Sequence, residues 1–482
     1  MAKYDVIIGL EVHVQVRTNT KMFCSCPNKF GQEPNSMVCP VCMGFPGVMP
    51  YPNREAIRRT VMAGLMCSCE IAKFSKFDRK SYFYPDMPKN YQISQYDLPL
   101  CGKGKVHVCG KGFSGQEISD KLIGITRIHL EEDVGKLNHF AGYSGIDFNR
   151  AGVPLMEIVS EPEMNTADEA YAYLTALKQI MQYADISDCD MEKGQMRCDV
   201  NISLKLAGVK EFGTKVEIKN LNSFRSAHRS IEHEIVRQAE VLDNGGKIFQ
   251  ETRGWTDERG ETYILRSKES AHDYRYFPEP DLLPMTFTDA DIAAIKKELP
   301  ELPEQKRERF VATLGLTPYD AQVLTLDKTL SDYFDEGAKQ AKSPKILANW
   351  IITELLRELN DRHIPFEKNP IPVSHLVELV ELVSGGTITG KSAKEVFSEM
   401  FAGGKAPKQI VTEKGLVQIS DDSEIEKFVV MAIEQNPLQV KQYKEGKTTV
   451  LQFFVGQVMK LSKGKANPQI VNRLLKEKLD KI

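Results

Sequence analysis

The chain has 482 residues, 41% of them hydrophobic and 27% charged, with a net charge of −3. That composition is one of a folded globular protein with room for roughly three domains, and it excludes a disordered chain. No apolar run approaches the roughly 18 residues of a membrane span, and "MAKYDVIIGLEV" is too short an apolar start for a secretory signal. Ten cysteines without such a signal point to a reducing, cytoplasmic setting in which thiols are unpaired or metal-bound.

The first element, "IGLEVHVQV" at 8–16, reads as a strand. Val12, Val14 and Val16 share one phase of a two-residue alternation, and Glu11, His13 and Gln15 share the other. Next comes "CSCPNKFGQEPNSMVCPVC", in which Cys24 and Cys26 are followed across a turn-rich loop by Cys39 and Cys42. Two close pairs of thiolates make a zinc chelate with no position left open for water, hence a structural site, although the first pair is Cys-x-Cys rather than Cys-x-x-Cys. Cys67 and Cys69 lack a second pair nearby and read as core residues.

A helical pattern spans 53–66. The stretch 77–100 then packs Arg79, Lys80, Lys89 and several tyrosines into a segment too proline-broken for a long strand, the composition of a ligand-binding loop. Short alternating segments resume, interrupted by helical patterns at 166–184 and 223–246. This describes an α+β fold with a mostly antiparallel sheet. After the proline-rich "YFPEPDLLP" at 276–284 the pattern is almost wholly helical: 290–313, 318–341, 344–360, 373–385 and 390–402. "AGGKAPKQ" reads as a flexible joint, and a final helical unit follows at 421–435, 437–444, 447–461 and 467–480. The expected division is therefore 1–292, 293–405 and 406–482. From Lys441 onward ten Lys or Arg stand against three acids, so a basic tail follows an acidic body. That asymmetry fits either nucleic-acid contact or a solvated helix face.

On one strand, a carboxylate and an imidazole two positions apart are an ordinary solvated face. Other strands repeat the pattern. Arg127, His129, Glu131 and Asp133 share a phase, as do Arg197, Asp199, Asn201 and Ser203, and as do Lys215, Glu217 and Lys219; Glu157 sits within the apolar run "VPLMEIVSEP". If these strands belong to one sheet, its polar face is a concave array of carboxylates with cations at the margin. Oxygen ligands with few imidazoles suit Mg²⁺, which keeps waters and substrate phosphates, and nearby Lys and Arg suit the phosphates themselves.

The stretches "IGLEVHVQV", "FDRKSYFYPDMPKNYQISQYD", "GITRIHLEEDVGK", "GVPLMEIVSEP", "MRCDVNISL", "FGTKVEIKNLNSF", "DYRYFPEPDL" and "SKGKANPQIVNRLLKEKL" closely resemble the B-subunit family of the aspartyl/glutamyl-tRNA amidotransferases, over nearly the whole chain. The resemblance implies a cradle-shaped N-terminal domain that binds ATP and Mg²⁺ and phosphorylates the side-chain carboxylate of Glu or Asp misattached to tRNA(Gln) or tRNA(Asn). Ammonia, released from glutamine by an amidase A subunit of a three-chain enzyme with a small C subunit, then forms the amide. The family's Mg²⁺ cluster falls on Glu11, His13, Glu131, Glu132 and Glu157, with strand phase favouring Glu131 over Glu132. Arg79, Lys80, Lys89, Asp199, Asn201 and Lys219 are the candidate ATP-binding residues. The helical and tail domains would hold tRNA, with Lys460, Lys463 and Lys465 as candidate contacts. The family's zinc cysteines are not universal, in keeping with a structural role for Zn²⁺.

Two other classes remain open on the residues alone. One is a zinc-stapled RNA-binding protein without catalysis, and the other a stand-alone ATP-dependent amide ligase. Against a self-sufficient amidase, the chain has no Ser-Ser-Lys arrangement and no evident Cys-His glutaminase set, so its ammonia must come from another chain.

Overall fold

The computed structural model describes residues 3–267, 273–419, 421–447, 449–462 and 464–481. The chain divides into two compact units, Met1–Pro303 and Glu304–Ile482.

An eight-stranded sheet organises the first unit. Its strands are β1 (Tyr4–Gln15), β2 (Gly104–Lys111), β3 (Glu117–Glu132), β4 (Pro154–Ser160), β5 (Met196–Leu206), β6 (Val216–Leu221), β7 (Glu251–Thr256) and β8 (Glu261–Ser267). They lie in the order β8-β7-β6-β5-β1-β4-β3-β2. Each neighbouring pair is antiparallel except β6 with β7. The two-residue alternation seen in the sequence is realised as an apolar and a polar face. Val12, Val14, Ile128, Leu130, Ile158, Val200, Ile202 and Ile218 are all fully buried on the apolar side.

Three helices pack into the same core: α1 (Arg54–Met66), α2 (Ala167–Tyr183) and α3 (Phe224–Asp243). Each starts where a polar side chain accepts hydrogen bonds from the otherwise unpaired N–H groups of the first turn: Asn53 from Glu55 and Ala56, Thr166 from Glu169, and Ser223 from Ser226. Within α3, Ala227, Ile231, Glu234 and Gln238 are buried at helical spacing. The tyrosine-rich segment folds as two short antiparallel strands, Asp78–Ser81 and Tyr91–Ser94, with Arg79 opposite Ile93, and Phe277–Pro278 pairs along the outer side.

The second unit is helical and holds two separate hydrophobic clusters. One runs from Phe310 to Val411 and the other from Ile425 to Leu479. Three of the long helices expected from periodicity are interrupted. The pattern at 290–313 breaks into Asp289–Lys297 and Pro303–Leu314 because Pro300 and Pro303 supply no N–H to continue a helix. The pattern at 318–341 breaks into Pro318–Leu324 and Lys328–Gln340, where Asp327 caps the second helix through the Leu330 N–H. In 344–360 the helix widens to a π segment at Ile351–Leu355. Conversely, the expected joint at 402–409 leads directly into a helix, Pro407–Lys414, with Pro at its start and left-handed Gly415 after its end; its Ile410 and Val411 are buried in the first cluster. Among the described residues no helix is long and apolar enough to cross a membrane.

Because Ile158 is fully buried in β4 with neighbours on both sides, Ile158→Ala should destabilise the first unit by about 2–5 kcal/mol. Denaturant unfolding followed by tryptophan fluorescence measures this, since Trp255 lies in the same core cluster.

Candidate functional site

The polar face of the sheet gathers its charged residues by register. In β1, His13 stands opposite Glu157 of β4 on one side and Arg197 of β5 on the other. His129 of β3 also faces Glu157, while Glu11 faces Asp199. A bulge in β6, where Lys219 and Asn220 together oppose the single Asp199 of β5, then brings Asn201 opposite Glu217 of β6. Two groups of candidate metal ligands result. His13, Glu131 and Glu157 form one, and Glu11, Asp199 and Glu217 the other; in each, one ligand atom per residue lies within 4.8 Å of the others.

In the first group His13 Nε2 is 3.2 Å from a Glu157 oxygen and 4.0 Å from Glu131. His129 Nε2 lies 3.6 Å from Glu131 and 3.8 Å from Glu157, and Ser94 Oγ donates to Glu131 at 3.0 Å. In the second group Asn201 Nδ2 donates to Glu11 at 2.8 Å, Lys219 Nζ donates to Asp199 at 2.7 Å, and Thr252 Oγ1 donates to Glu217 at 2.8 Å. The Asn201 carbonyl oxygen is buried and has no hydrogen-bond partner. Asn201 lines a cavity of ≈ 260 Å³ together with Glu11, Ser203 and Lys215.

Burial by itself would push the Glu157 carboxyl up, but His129, His13 and Lys80 outweigh it and hold it well below the ordinary range. Glu131 is lowered in the same way: burial opposes, and His129 and Lys80 prevail. Burial pulls the Lys80 ammonium down, yet the facing charges of Glu131, Tyr276 and Glu157 carry it above its usual value. His13 is likewise raised, burial being outweighed by Glu157, Glu131 and Asp199. The acids of the first group are thus ionised, and its donor set of carboxylates with one imidazole fits a hard divalent cation. The second group offers three carboxylates, with the unpartnered Asn201 oxygen close by.

The remaining candidates lie elsewhere. Glu132 follows Glu131 in β3 and therefore points to the other side, where the Lys89 ammonium and the Ile93 N–H bind its carboxylate. Neither ligand group includes it. Arg79 makes a two-bond contact with Glu279, at 2.7 and 2.9 Å, and reaches Asp281 at 3.1 Å; its guanidinium lies 4.3 Å from the Tyr91 ring. Arg79, Lys89 and Glu132 line a cavity of ≈ 240 Å³ with Cys24 and Cys42. Of the tail lysines, Lys460 lies in the last turn of the helix Val450–Leu461, and Lys465 is half-buried in the turn before the helix Pro468–Leu479. Lys463 falls outside the described residues.

Cys24, Cys26, Cys39 and Cys42 are all free thiols whose sulfurs lie within 4.8 Å of one another. The Cys39 and Cys42 sulfurs are 4.0 Å apart, close to the edge of about 3.8 Å that a tetrahedron with Zn–S bonds of about 2.3 Å requires. A hydrogen bond from Cys24, assisted by the Cys39 backbone and the Lys21 ammonium, lowers the Cys42 thiol to about 5 against the opposing effect of burial. A thiol at Cys42 that readily gives up its proton is the starting point a zinc ion needs.

Several residues of the face escaped the sequence reading as site residues. Glu217 and His129 were in phase with the chosen acids, and that phase was the signal. Nothing in "QISQ" marked Ser94, which reaches Glu131 from a strand 37 positions earlier.

The GatB/GatE catalytic domain family matches residues 6–293, and the GatB domain family matches residues 332–479. Among curated proteins the chain is 53% identical to the B subunit of the aspartyl/glutamyl-tRNA(Asn/Gln) amidotransferase of Carboxydothermus hydrogenoformans, over 100% of both chains. It is 52% identical to the proteins of that name from Caldanaerobacter subterraneus subsp. tengcongensis and Persephonella marina, over 99% of this chain and 100% of each relative.

Replacing Cys39 by Ser should remove one equivalent of bound metal per chain and lower Tm by at least about 5 °C, because a metal bound only by the folded state contributes its binding energy to folding. Elemental analysis beside a thermal melt checks this. An unchanged melt with no metal in the parent protein would dismiss the site.

Proposed function

Since the chain belongs to the GatB/GatE family and is a subunit of a tRNA-dependent amidotransferase, we propose that its first unit performs the phosphorylation half of that reaction. The substrate is Glu or Asp wrongly attached to tRNA(Gln) or tRNA(Asn). A side-chain carboxylate oxygen of that residue attacks the γ-phosphorus of ATP, the bond to the bridging oxygen breaks, and ADP leaves. Ammonia then attacks the acyl carbon, phosphate departs, and a proton is lost as the amide forms.

The observation that carries this reading is the pair of acidic ligand groups side by side on the sheet. Two anions, ATP and a carboxylate, must approach each other there, and an uncompensated acidic face would repel both. Mg²⁺ held by His13, Glu131 and Glu157, with Glu11, Asp199 and Glu217 available for a second ion, would supply the neutralising charge. Lys80 and Lys219 stand against these acids as ammonium ions and are suited to bind phosphate oxygens. Asn201 can donate to or accept from the nucleotide at the cavity beside Glu11. Arg79 and Lys89 are engaged by Glu279 and Glu132, so a phosphate role for either requires exchange of those partners. Glu132 serves the site from its far side, by holding Lys89. The four cysteines take structural Zn²⁺.

The amide nitrogen comes from glutamine through an amidase A subunit, with a small C subunit completing a cytoplasmic three-chain ligase. Residues 1–292 form the catalytic cradle with its zinc loop at 24–42. Residues 293–405 and 406–482 bind tRNA, the latter through Lys460, Lys463 and Lys465, whose phosphate contacts would position tRNA with little regard to base identity.

In the assembled enzyme, ATP hydrolysis should rise sharply on adding misacylated tRNA, and Glu11→Ala or His13→Ala should reduce amide formation by at least about 10²-fold while glutamine hydrolysis by the partner persists. Normal amide formation by Glu11→Ala with unaltered Mg²⁺ dependence would refute the assignment. A Lys460→Ala, Lys465→Ala variant should raise KM for charged tRNA and reduce the salt slope of binding by somewhat under one per lysine. Affinity and slope identical to the parent across a salt titration would remove the tail lysines from the interface.

A further inference from the structure

At the far end of β3 from the acidic groups, the sheet ends in β2, its outermost strand. Val106 and Val108 of β2 are buried in the core, so His107 and Cys109, which alternate with them, face outward together. Opposite them the register shifts: His107 pairs with Leu122 and Val108 with Lys121, but Gly110 pairs with Ile118. Two residues of β3, Ser119 and Asp120, therefore oppose the single Cys109. Such a bulge turns side chains toward the partner strand. Asp120 Oδ1 consequently lies 3.2 Å from His107 Nε2. The Cys109 sulfur, a carboxylate oxygen of Asp120 and a His107 ring nitrogen all lie within 4.8 Å of one another.

We propose that His107, Cys109 and Asp120 form a further metal site, selective for a borderline-soft divalent transition metal of the zinc class. Its chemistry differs from that of the carboxylate groups. Thiolate with imidazole favours zinc or cobalt over magnesium, and three protein ligands leave a fourth position for water or an incoming ligand. The site is also remote. Asp120 and His129 are nine positions apart on one strand, about 30 Å at the rise of an extended chain. An ion pair alone needs only His107 and Asp120; the thiol within reach of both completes a set of three ligand types that a zinc-class ion takes together. With Cys109 and Asp120 exposed, metal exchange here should be fast, unlike at the four-cysteine knot, where Cys26 and Cys42 are buried. A metal bound across β2 and β3 would tie down the bulged, open edge of the sheet.

The test compares metal-stripped parent protein with Cys109→Ser, both reloaded anaerobically with Co²⁺. The parent should bind one equivalent more than Cys109→Ser, and that extra equivalent should carry a thiolate-to-cobalt charge-transfer band. His107→Ala should lose the same equivalent. Asp120→Asn should weaken it by at least about tenfold, a loss that even an outer-shell partner can cause. All three positions lie on the outward face of the sheet edge, so the variants should keep the parent's circular dichroism spectrum. Equal cobalt equivalents in the parent and Cys109→Ser, or an extra equivalent without thiolate absorption, would leave an ion pair only and overturn the proposal.

Discussion

The placement of β4 between β1 and β3 is the constraint from which the chemistry follows. With antiparallel pairing on both sides, Glu157 has His13 across one ladder and His129 across the other. A slip of one residue in either register would turn every side chain of the displaced strand to the opposite face, sending Ile158 outward and Glu157 into the core. The register is held by what lies behind it. Val12, Ile128 and Ile158 are fully buried in one apolar layer, and none of them tolerates the alternative without exposing hydrocarbon and burying a carboxylate.

Concentrating acids on one face has an electrostatic cost that the fold offsets locally. Glu131 and Glu157 remain ionised although buried because two imidazoles and the Lys80 ammonium face them. Asp133, also buried, is held ionised by Arg197 and Arg150 against the same desolvation, and Gln15 donates to it at 2.9 Å. The cations arrive from distant parts of the chain: Lys80 from the short hairpin, Arg197 from β5 and Lys219 from β6. The result is a face rich in ligands and also rich in counter-charge. Such a face would let the proposed metal and anionic substrate sit together without a large reorganisation of the protein.

The adjacent residues Glu131 and Glu132 show how finely strand geometry divides labour. One carboxylate joins His13 and Glu157. The other, a single step along the strand, faces the Lys89 ammonium beside the cysteine loop. Glu132 therefore borders the cavity beside the cysteine loop, with Arg79 and Lys89, while Glu131 stays with the acidic face. From Pro303 onward the same economy works through helix ends. Pro303, Pro318, Pro344, Pro407, Pro437 and Pro468 each begin a helix, where a missing N–H costs nothing because no intrahelical acceptor is available.

Much of this was legible in the sequence. The α+β class, the polar phase of the strands, the pairing of cysteines 24 and 26 with 39 and 42, and the helical second half all follow from local spacing, since side-chain direction in a strand or helix is set by period alone. The family resemblance followed from contiguous motifs. Helix interruptions were less visible, because a hydrophobic period passes through Thr325–Asp327 or 351–355 without announcing a break. Three things were beyond local reading. Strand order put β4 between β1 and β3. The bulge in β6 aligned Asn201 with Glu217. The fold as a whole delivered Ser94 and Lys80 to Glu131, and Glu279 to Arg79. Each depends on contacts between residues tens to hundreds of positions apart. The sequence by itself determined which residues could share a face; only the tertiary structure decided which of them meet, because pairing register and strand order are set by the closing of the whole core rather than by any one segment.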